Sequence, residues 1–158
     1  MGIHGEAGAS LASITPCKDL VKTVCDQIVD YGYGPDGETK VKRGDKIALL
    51  VNNLGGASVF EMYIIARDAM EYWSDIVGPG NVSRCYVGSF MTSFNMHGAS
   101  VTVLAMDEER RIEGWLDAET SCQAWQMAED LAKAGPAEPF QVRKSVQRNQ
   151  GILEFSFL

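Results

Sequence analysis

A histidine in a glycine-rich loop is the residue of this sequence best suited to nucleophilic chemistry. His4 lies between Ile3 and Gly5, and Glu6 lies two residues after it. Glycine lets the backbone approach a ligand closely, and the Glu6 carboxylate can orient the imidazole by a hydrogen bond. A neutral imidazole nitrogen can then attack a carbonyl carbon. A lone histidine in such a loop is more often an exposed residue, so both interpretations stay open at this point.

The loop at residues 52–56, NNLGG, is the second candidate for binding chemistry. It lies between an apolar run and a capped helix, and α/β proteins bind ligands at strand ends and anions at helix N-termini. It lacks both glycine patterns that cradle nucleotide phosphates. A tight turn, in which Asn and Gly adopt backbone conformations that other residues avoid, is therefore the preferred interpretation.

Other polar and aromatic side chains have simpler expected roles. His97 is expected to be an exposed turn residue. The solvent-exposed side of a helix is expected to carry Glu61, Arg67, Asp68 and Glu71. A core or an interface is expected to contain Tyr63, Tyr72 and Trp73.

The four cysteines do not form a recognisable metal or disulfide pattern. They are Cys17, Cys25, Cys85 and Cys122, with no CxxC pair and no zinc-ligand spacing. Free structural thiols are therefore expected, with no metal site and no cofactor bound by this chain.

Alternating helix and strand signals predict the elements that position these residues. The first thirteen residues predict a strand end that runs into a loop. Helices are predicted over 16–30, from a Ser58 and Glu61 capping box to Gly78, over 107–115, and more weakly over 120–133. Strands are predicted over 46–52, 82–90 and 99–106. This order indicates an α/β or α+β fold, with a mixed sheet and helices in two layers.

Composition restricts the class of protein. The chain has 158 residues, 46% of them hydrophobic and 22% charged, which suits one compact domain. A net charge of −7 argues against a nucleic-acid partner. No apolar run approaches the roughly 20 residues that cross a bilayer, and the N-terminus has no basic region before an apolar stretch. A cytoplasmic protein that binds no membrane is therefore expected.

Three segments together resemble the dihydroxyacetone (glycerone) kinases, specifically the C-terminal half of their substrate-binding K domain. The segments are GIHGEAG at 2–8, VNNLGG at 51–56 leading into EMYII at 61–65, and YVGSFMTSFNM at 86–96 followed by GASVTVL at 98–104. The resemblance covers residues 1–120, taken as the C-terminal K subdomain, and leaves 121–158 as a weakly assigned helix and tail.

The resemblance implies a covalent substrate-binding step. His4 would add through its ring nitrogen to the ketone carbon and form a hemiaminal, with Gly5 and Glu6 beside the substrate. Dihydroxyacetone, or a related short ketose or aldose, would bind in this way, and its terminal hydroxyl would then be phosphorylated. Ala7 stands where the family commonly has proline, which should loosen this loop without removing the nucleophile.

The resemblance also implies partners outside this chain. ATP and magnesium would be bound by a separate L domain, or a phosphorylated protein would replace ATP. The N-terminal half of the K domain would supply general acid and base groups. Without these parts the isolated chain is expected to be inactive. The alternative is a catalytically inactive truncated homologue that acts as a dimerisation or regulatory module, and a homodimer is expected because of an open sheet edge.

Overall fold

A computed structural model describes residues 13–31, 41–106 and 111–125 of the chain. The elements in chain order are α1 (Cys17–Tyr31), β1 (Ile47–Asn53), α2 (Val59–Val77), β2 (Val82–Gly88), β3 (Ala99–Ala105) and α3 (Ile112–Leu116). The predicted α/β fold is confirmed, and the described helices and strands lie within about two residues of the predicted bounds up to β3. The prediction for residues 1–13 lies outside the described residues.

The three described strands form a mixed sheet in the order β2-β1-β3. β1 runs parallel to β2 and antiparallel to β3, so the carboxyl ends of β1 and β2 meet at one edge. Both α1 and α2 pack on the same face of the sheet. Their core contains Cys25, Leu49 and Trp73, which are all completely or almost completely buried.

Local sequence signals account for the bounds of α2. Ser58 caps the helix by accepting a hydrogen bond from the Glu61 amide, and the Glu61 carboxylate accepts one from the Ser58 amide in return. Gly78 ends the helix with a φ of +99°, a backbone conformation that glycine adopts without steric cost. The predicted capping box is therefore confirmed.

The second face of the sheet is covered by the segment that contains α3. Arg84 projects from β2 to this segment, and Trp125 stacks on Tyr86 with ring centroids 4.7 Å apart. A small apolar cavity lies between the sheet and the segment that contains α3. Its lining includes Leu50 and Leu104 from the sheet and Leu116 from that segment.

Two predictions about helices are wrong where the structure describes the residues. Residues 120–125 form a loop and a turn, in which the Thr120 hydroxyl accepts the Cys122 amide hydrogen bond, so no helix begins at Thr120. The prediction for 126–133 lies outside the described residues, as do residues 107–110 of the predicted acidic helix. Asp68 is not on the solvent-exposed side of α2, because it is only 3% exposed and accepts two hydrogen bonds from Arg67.

All four cysteines are free thiols, as predicted. Burial raises the pKa of Cys25 and of Cys85 to about 11. These thiols are therefore protonated at neutral pH, which suits packing rather than nucleophilic attack. Among the described residues, no helix is both long and apolar enough to cross a membrane.

Candidate functional site

The candidate site lies at the edge of the sheet where β1 and β2 end. Asn52 at the end of β1 is paired with Gly88 at the end of β2. The loop of residues 54–58 leaves β1 for α2, and the loop of residues 89–98 leaves β2 for β3. Ligands of α/β proteins bind outside the carboxyl ends of parallel strands, so these two loops form the expected location.

Asn52 joins the two loops through a fully buried side chain. Its Oδ1 accepts hydrogen bonds from the amides of Phe90 at 2.9 Å and Met91 at 2.8 Å. Its Nδ2 donates to the Met91 carbonyl at 2.8 Å and to the Ser100 hydroxyl at 3.2 Å. All four bonds reach residues 38–48 positions further along the chain. Asn52 thus fixes the start of the 89–98 loop.

Asn53 orders the other loop from within. Its Oδ1 accepts hydrogen bonds from the amides of Gly55 at 2.8 Å and Ala57 at 3.3 Å, and its Nδ2 donates to the Ala57 carbonyl at 2.7 Å. These bonds occupy backbone amides that a phosphate would need. The contacts therefore support the tight-turn interpretation of 52–56 over a phosphate cradle.

The two loops also bind each other directly. The Gly56 amide donates to the Met96 carbonyl at 2.8 Å, and the Leu54 amide donates to the Gly98 carbonyl at 3.0 Å. The Leu54 carbonyl in turn accepts bonds from both the amide and the hydroxyl of Ser93. The loops therefore behave as one rigid platform at the edge of the sheet.

His97 lies at the outer side of this platform. It is exposed, as predicted, and its Nδ1 is 3.2 Å from the Gly56 carbonyl oxygen. The bonds from Ser58, together with the charge of His97, lower the pKa of the nearby Glu61. A lowered carboxyl pKa stabilises the fold above the ordinary glutamate range, and this stabilisation is lost as the pH falls through the lowered value. Glu61 therefore acts as a helix cap and not as a proton donor near neutral pH.

We expect Gly55→Ala to destabilise the protein by about 3 kcal/mol, through left-handed backbone strain and a steric collision together. Gly55 has a φ of +125°, and an added methyl group would collide with the Ser93 carbonyl oxygen. Chemical denaturation would measure the loss. Gly44→Ala is the matched control, since Gly44 has a φ of +99° with no heavy atom within 4 Å of the added carbon. We expect about 1 kcal/mol there, and equal losses in both variants would contradict the collision.

The residues predicted to bind the substrate, His4, Gly5 and Glu6, lie outside the described residues. The platform brings Asn52, Asn53 and His97 to one edge. The loop itself could be predicted from the sequence, whereas the burial of the Asn52 side chain was not predicted. An available signal was the abrupt change from the apolar run of β1 to two consecutive amides.

Several large apolar side chains are exposed around the platform. They are Val59, Phe60, Tyr63, Met91, Phe94 and Met96, with Phe94 98% exposed. Within the described ranges, no group of three or more His, Cys, Asp or Glu side chains is placed to hold a metal ion. The platform itself therefore offers shape and apolar surface rather than acid, base or metal chemistry.

The fold and this edge define an α/β domain in which two loops, bonded to each other, follow a parallel strand pair. The model of the Dak1 domain matches residues 1–124, and the chain belongs to this family. Rat triokinase/FMN cyclase is 35% identical over 147 residues, which is 88% of this chain and 24% of the rat protein. The dihydroxyacetone-binding subunit DhaK of a PTS-dependent dihydroxyacetone kinase from Listeria innocua is 33% identical over 117 residues, 74% of this chain and 32% of the subunit.

Solved structures of dihydroxyacetone kinases and of a related co-activator are similar to this chain. The dihydroxyacetone kinase from C. freundii, in complex with AMP-PNP and Mg²⁺, is 28% identical with a TM-score of 0.63. The match covers 99% of this chain and 25% of the kinase. A dihydroxyacetone kinase operon co-activator, 24% identical with a TM-score of 0.62 over 79% of this chain and 36% of its own, shares the fold. The chain therefore spans about a quarter to a third of the length of the proteins it matches.

Proposed function

We propose that this chain is the part of a dihydroxyacetone kinase that binds the ketone substrate covalently through His4. The observation that carries the proposal is the GIHGEAG motif at residues 2–8, in a chain whose family match runs over residues 1–124. The name of the Listeria relative, a dihydroxyacetone-binding subunit, supports the same substrate.

The chemical step is an addition to a carbonyl. A ring nitrogen of neutral His4 donates its electron pair to the ketone carbon, and the carbonyl π electrons move to the oxygen. The imidazole N–H proton is transferred to that oxygen, which gives a neutral hemiaminal and conserves all atoms. Glycerol has no carbonyl, so it cannot form this bond. Covalent attachment orients the terminal hydroxyl for phosphorylation.

The platform contributes rigidity to this proposed function. A covalent adduct favours phosphoryl transfer when its hydroxyl is held in one orientation, and loops fixed by Asn52 and Asn53 lose little entropy when a ligand binds. ATP and magnesium would act from a separate domain or be replaced by a phosphorylated partner. The cytoplasmic location remains a prediction from the sequence.

We expect dihydroxyacetone labelled with ¹³C at the carbonyl to show a new tetrahedral carbon resonance in the presence of the chain, since hemiaminal formation converts that carbon from trigonal to tetrahedral. His4→Ala should abolish the resonance. His97→Ala is the matched control because the chain has two histidines, and it should keep the resonance. Loss in His97→Ala with retention in His4→Ala would contradict the proposal.

A second test restores the N-terminal half of a K domain and the phosphoryl donor. In that assembly His4→Ala should lose most of its activity towards dihydroxyacetone, because the hydroxyl is no longer held by the covalent bond. Full activity of His4→Ala would remove the proposed role of the histidine.

The alternative function is a regulatory or dimerisation module without catalysis. The specific observation in its favour is that a kinase operon co-activator has the same fold, which is an analogy at the level of fold alone. A regulator that never forms the hemiaminal would show no new ¹³C resonance in either histidine variant or in the original chain.

A further inference from the structure

One face of β2 leads from the α3 segment, residues 111–125, to the candidate site. Val87 packs on the side of α2. Since side chains alternate along a strand, Arg84, Tyr86 and Gly88 point to the opposite face, which the α3 segment covers. This face begins at Arg84, which binds the α3 segment, and ends at Gly88, next to the candidate site.

Trp125 of the α3 segment contacts two aromatic rings. Its ring centroid lies 4.7 Å from that of Tyr86 on β2 and 5.5 Å from that of Phe90 in the 89–98 loop. Aromatic pairs attract each other at centroid distances of about 4.5–7 Å. Tyr86 is only 3% exposed and belongs to the sheet, whereas Phe90 belongs to the loop. Trp125 therefore connects the sheet to a loop that borders the candidate site.

The ring of Phe90 lies directly over the end of β2. A Cβ added to Gly88 would be 3.0 Å from the Cζ of Phe90 and 3.3 Å from its Cε2. The ring therefore fills the space that a side chain at position 88 would occupy, and Phe90 is half-buried there. Close contact with Gly88 and with Trp125 restricts the orientation of this ring.

The backbone of Phe90 is also an anchor of the loop. Asn52 Oδ1 accepts the amide hydrogen bonds of Phe90 at 2.9 Å and of Met91 at 2.8 Å. The rotamer of a side chain and the backbone angles of its residue depend on each other. A Phe90 ring that leaves Trp125 therefore changes the backbone angles open to Phe90 and weakens the two amide bonds to Asn52.

Trp125 is itself held independently of the loop. Its amide donates to the Cys122 carbonyl at 3.1 Å. Earlier in the segment, the Asp117 carboxylate accepts two hydrogen bonds from the buried Arg84 side chain. The restraint therefore acts from the α3 segment on the loop.

We infer that Trp125 is a positioning residue for the candidate site. Through Phe90 it holds the start of the 89–98 loop in the orientation that receives dihydroxyacetone or a related short ketose. Trp125 acts without touching the substrate, and the inference rests on the proposed function.

The size of the effect follows from the fraction of time that the loop is correctly placed. The apparent dissociation constant rises in inverse proportion to this fraction, so a loop correctly placed about a tenth of the time binds about tenfold more weakly. Trp125→Ala removes both ring contacts and should have an effect of this size. Trp125→Phe keeps an aromatic ring at the same position and should stay within about twofold of the original affinity.

A titration of the 158-residue chain with dihydroxyacetone labelled with ¹³C at the carbonyl, followed by the tetrahedral carbon resonance, measures this affinity. Trp115→Ala is the matched control, because it removes the same side chain from a position of the α3 segment that is 69% exposed, and it should leave the affinity unchanged. Phe90→Leu should weaken binding as Trp125→Ala does. The double variant should bind no more weakly than the weaker of these two, since both act through one contact.

Amide exchange without the ligand measures the loop directly. The amides of Phe90 and Met91 should exchange about tenfold faster in Trp125→Ala and at the original rate in Trp115→Ala. The amides of Leu49 and Val51 in the centre of the sheet should keep their original rates. If those rates rise as well, Phe90→Leu decides the test, because it leaves Trp125 stacked on Tyr86.

Three results would overturn the inference. They are unchanged exchange at Phe90 and Met91, faster exchange with unchanged affinity, and additive losses of affinity in the double variant. An original chain that shows no tetrahedral resonance would instead contradict the proposed function, and the exchange rates of Phe90 and Met91 would still show whether Trp125 holds the loop.

Discussion

Asn52→Leu is expected to destabilise the protein by about 4 kcal/mol. Leucine is similar in size, but it makes none of the four hydrogen bonds of the buried Asn52 side chain. The amides of Phe90 and Met91 and the Met91 carbonyl would lose their partner in a part-buried position, and each unsatisfied group costs about 1–3 kcal/mol. Urea unfolding followed by circular dichroism measures the loss.

Ser100→Ala is the matched control for Asn52→Leu. It removes a single bond of 3.2 Å and leaves the other three in place, so the expected loss is about 1 kcal/mol or less. Faster amide exchange throughout residues 89–98 should accompany Asn52→Leu and be absent in Ser100→Ala. A loss below about 1 kcal/mol in Asn52→Leu would show that the 89–98 loop is held by its other contacts.

The elements that sequence analysis predicted well are those whose signals are local. Ser58 and Glu61 are three residues apart, so the capping box that begins α2 is readable from the sequence, and Gly78 marks its end in the same way. The continuous apolar run of β1 correctly predicted a buried strand. Such a run is typical of a strand that is covered on both faces, as β1 is here. The family resemblance added the class of protein to which these elements belong.

The features that sequence analysis missed depend on partners far along the chain. Asn52 bonds to residues 38–48 positions away, and no local pattern distinguishes such an amide from one in a solvated turn. Asp68 follows the expected helical spacing of an exposed residue, but α1 packs over that side of α2 and buries it. Whether a polar side chain is buried depends on how the helices pack together. The hydrophobic period of a single helix does not reveal that packing.

The candidate site likewise combines a motif of consecutive residues with contacts between residues that lie far apart in the sequence. The motif around His4 was recognised from consecutive residues, whereas the platform results from contacts between two loops. Leu54 and Ser93, which bind these loops together, are ordinary residues in the sequence. A short motif therefore suggests a functional residue from the sequence alone, whereas the contacts between the two loops can be found only from the structure.

Arg84 holds the α3 segment on the second face of the sheet. Its side chain is 5% exposed, and its Nε and Nη2 donate to the Asp117 carboxylate at 2.9 and 2.5 Å. Nη1 donates to the Ser83 carbonyl at 2.8 Å and lies 3.2 Å from Glu113 Oε1. The planar guanidinium thus joins β2 to both ends of α3, which has only five residues and no buried side chain of its own.

Arg84→Met is therefore expected to destabilise the protein by about 3 kcal/mol and to release residues 111–125 from the sheet. Breaking a buried ion pair costs about 3–5 kcal/mol, and the lower end applies because Asp117 and Glu113 are more than a third exposed and can be rehydrated. Release would separate Trp125 from Tyr86, which a red shift in tryptophan emission and faster amide exchange over 111–125 would detect.

A double-mutant cycle with Asp117→Asn distinguishes the ion pair from simple loss of packing around Arg84. If the paired charges carry the effect, the stability losses of the two single variants should add up to about 2 kcal/mol more than the stability loss of the double variant. Arg84→Lys keeps the charge but cannot make two parallel bonds to one carboxylate, so it should fall between the original chain and Arg84→Met. Additive losses in the cycle would mean that the stem of Arg84, rather than its guanidinium, holds α3 in place.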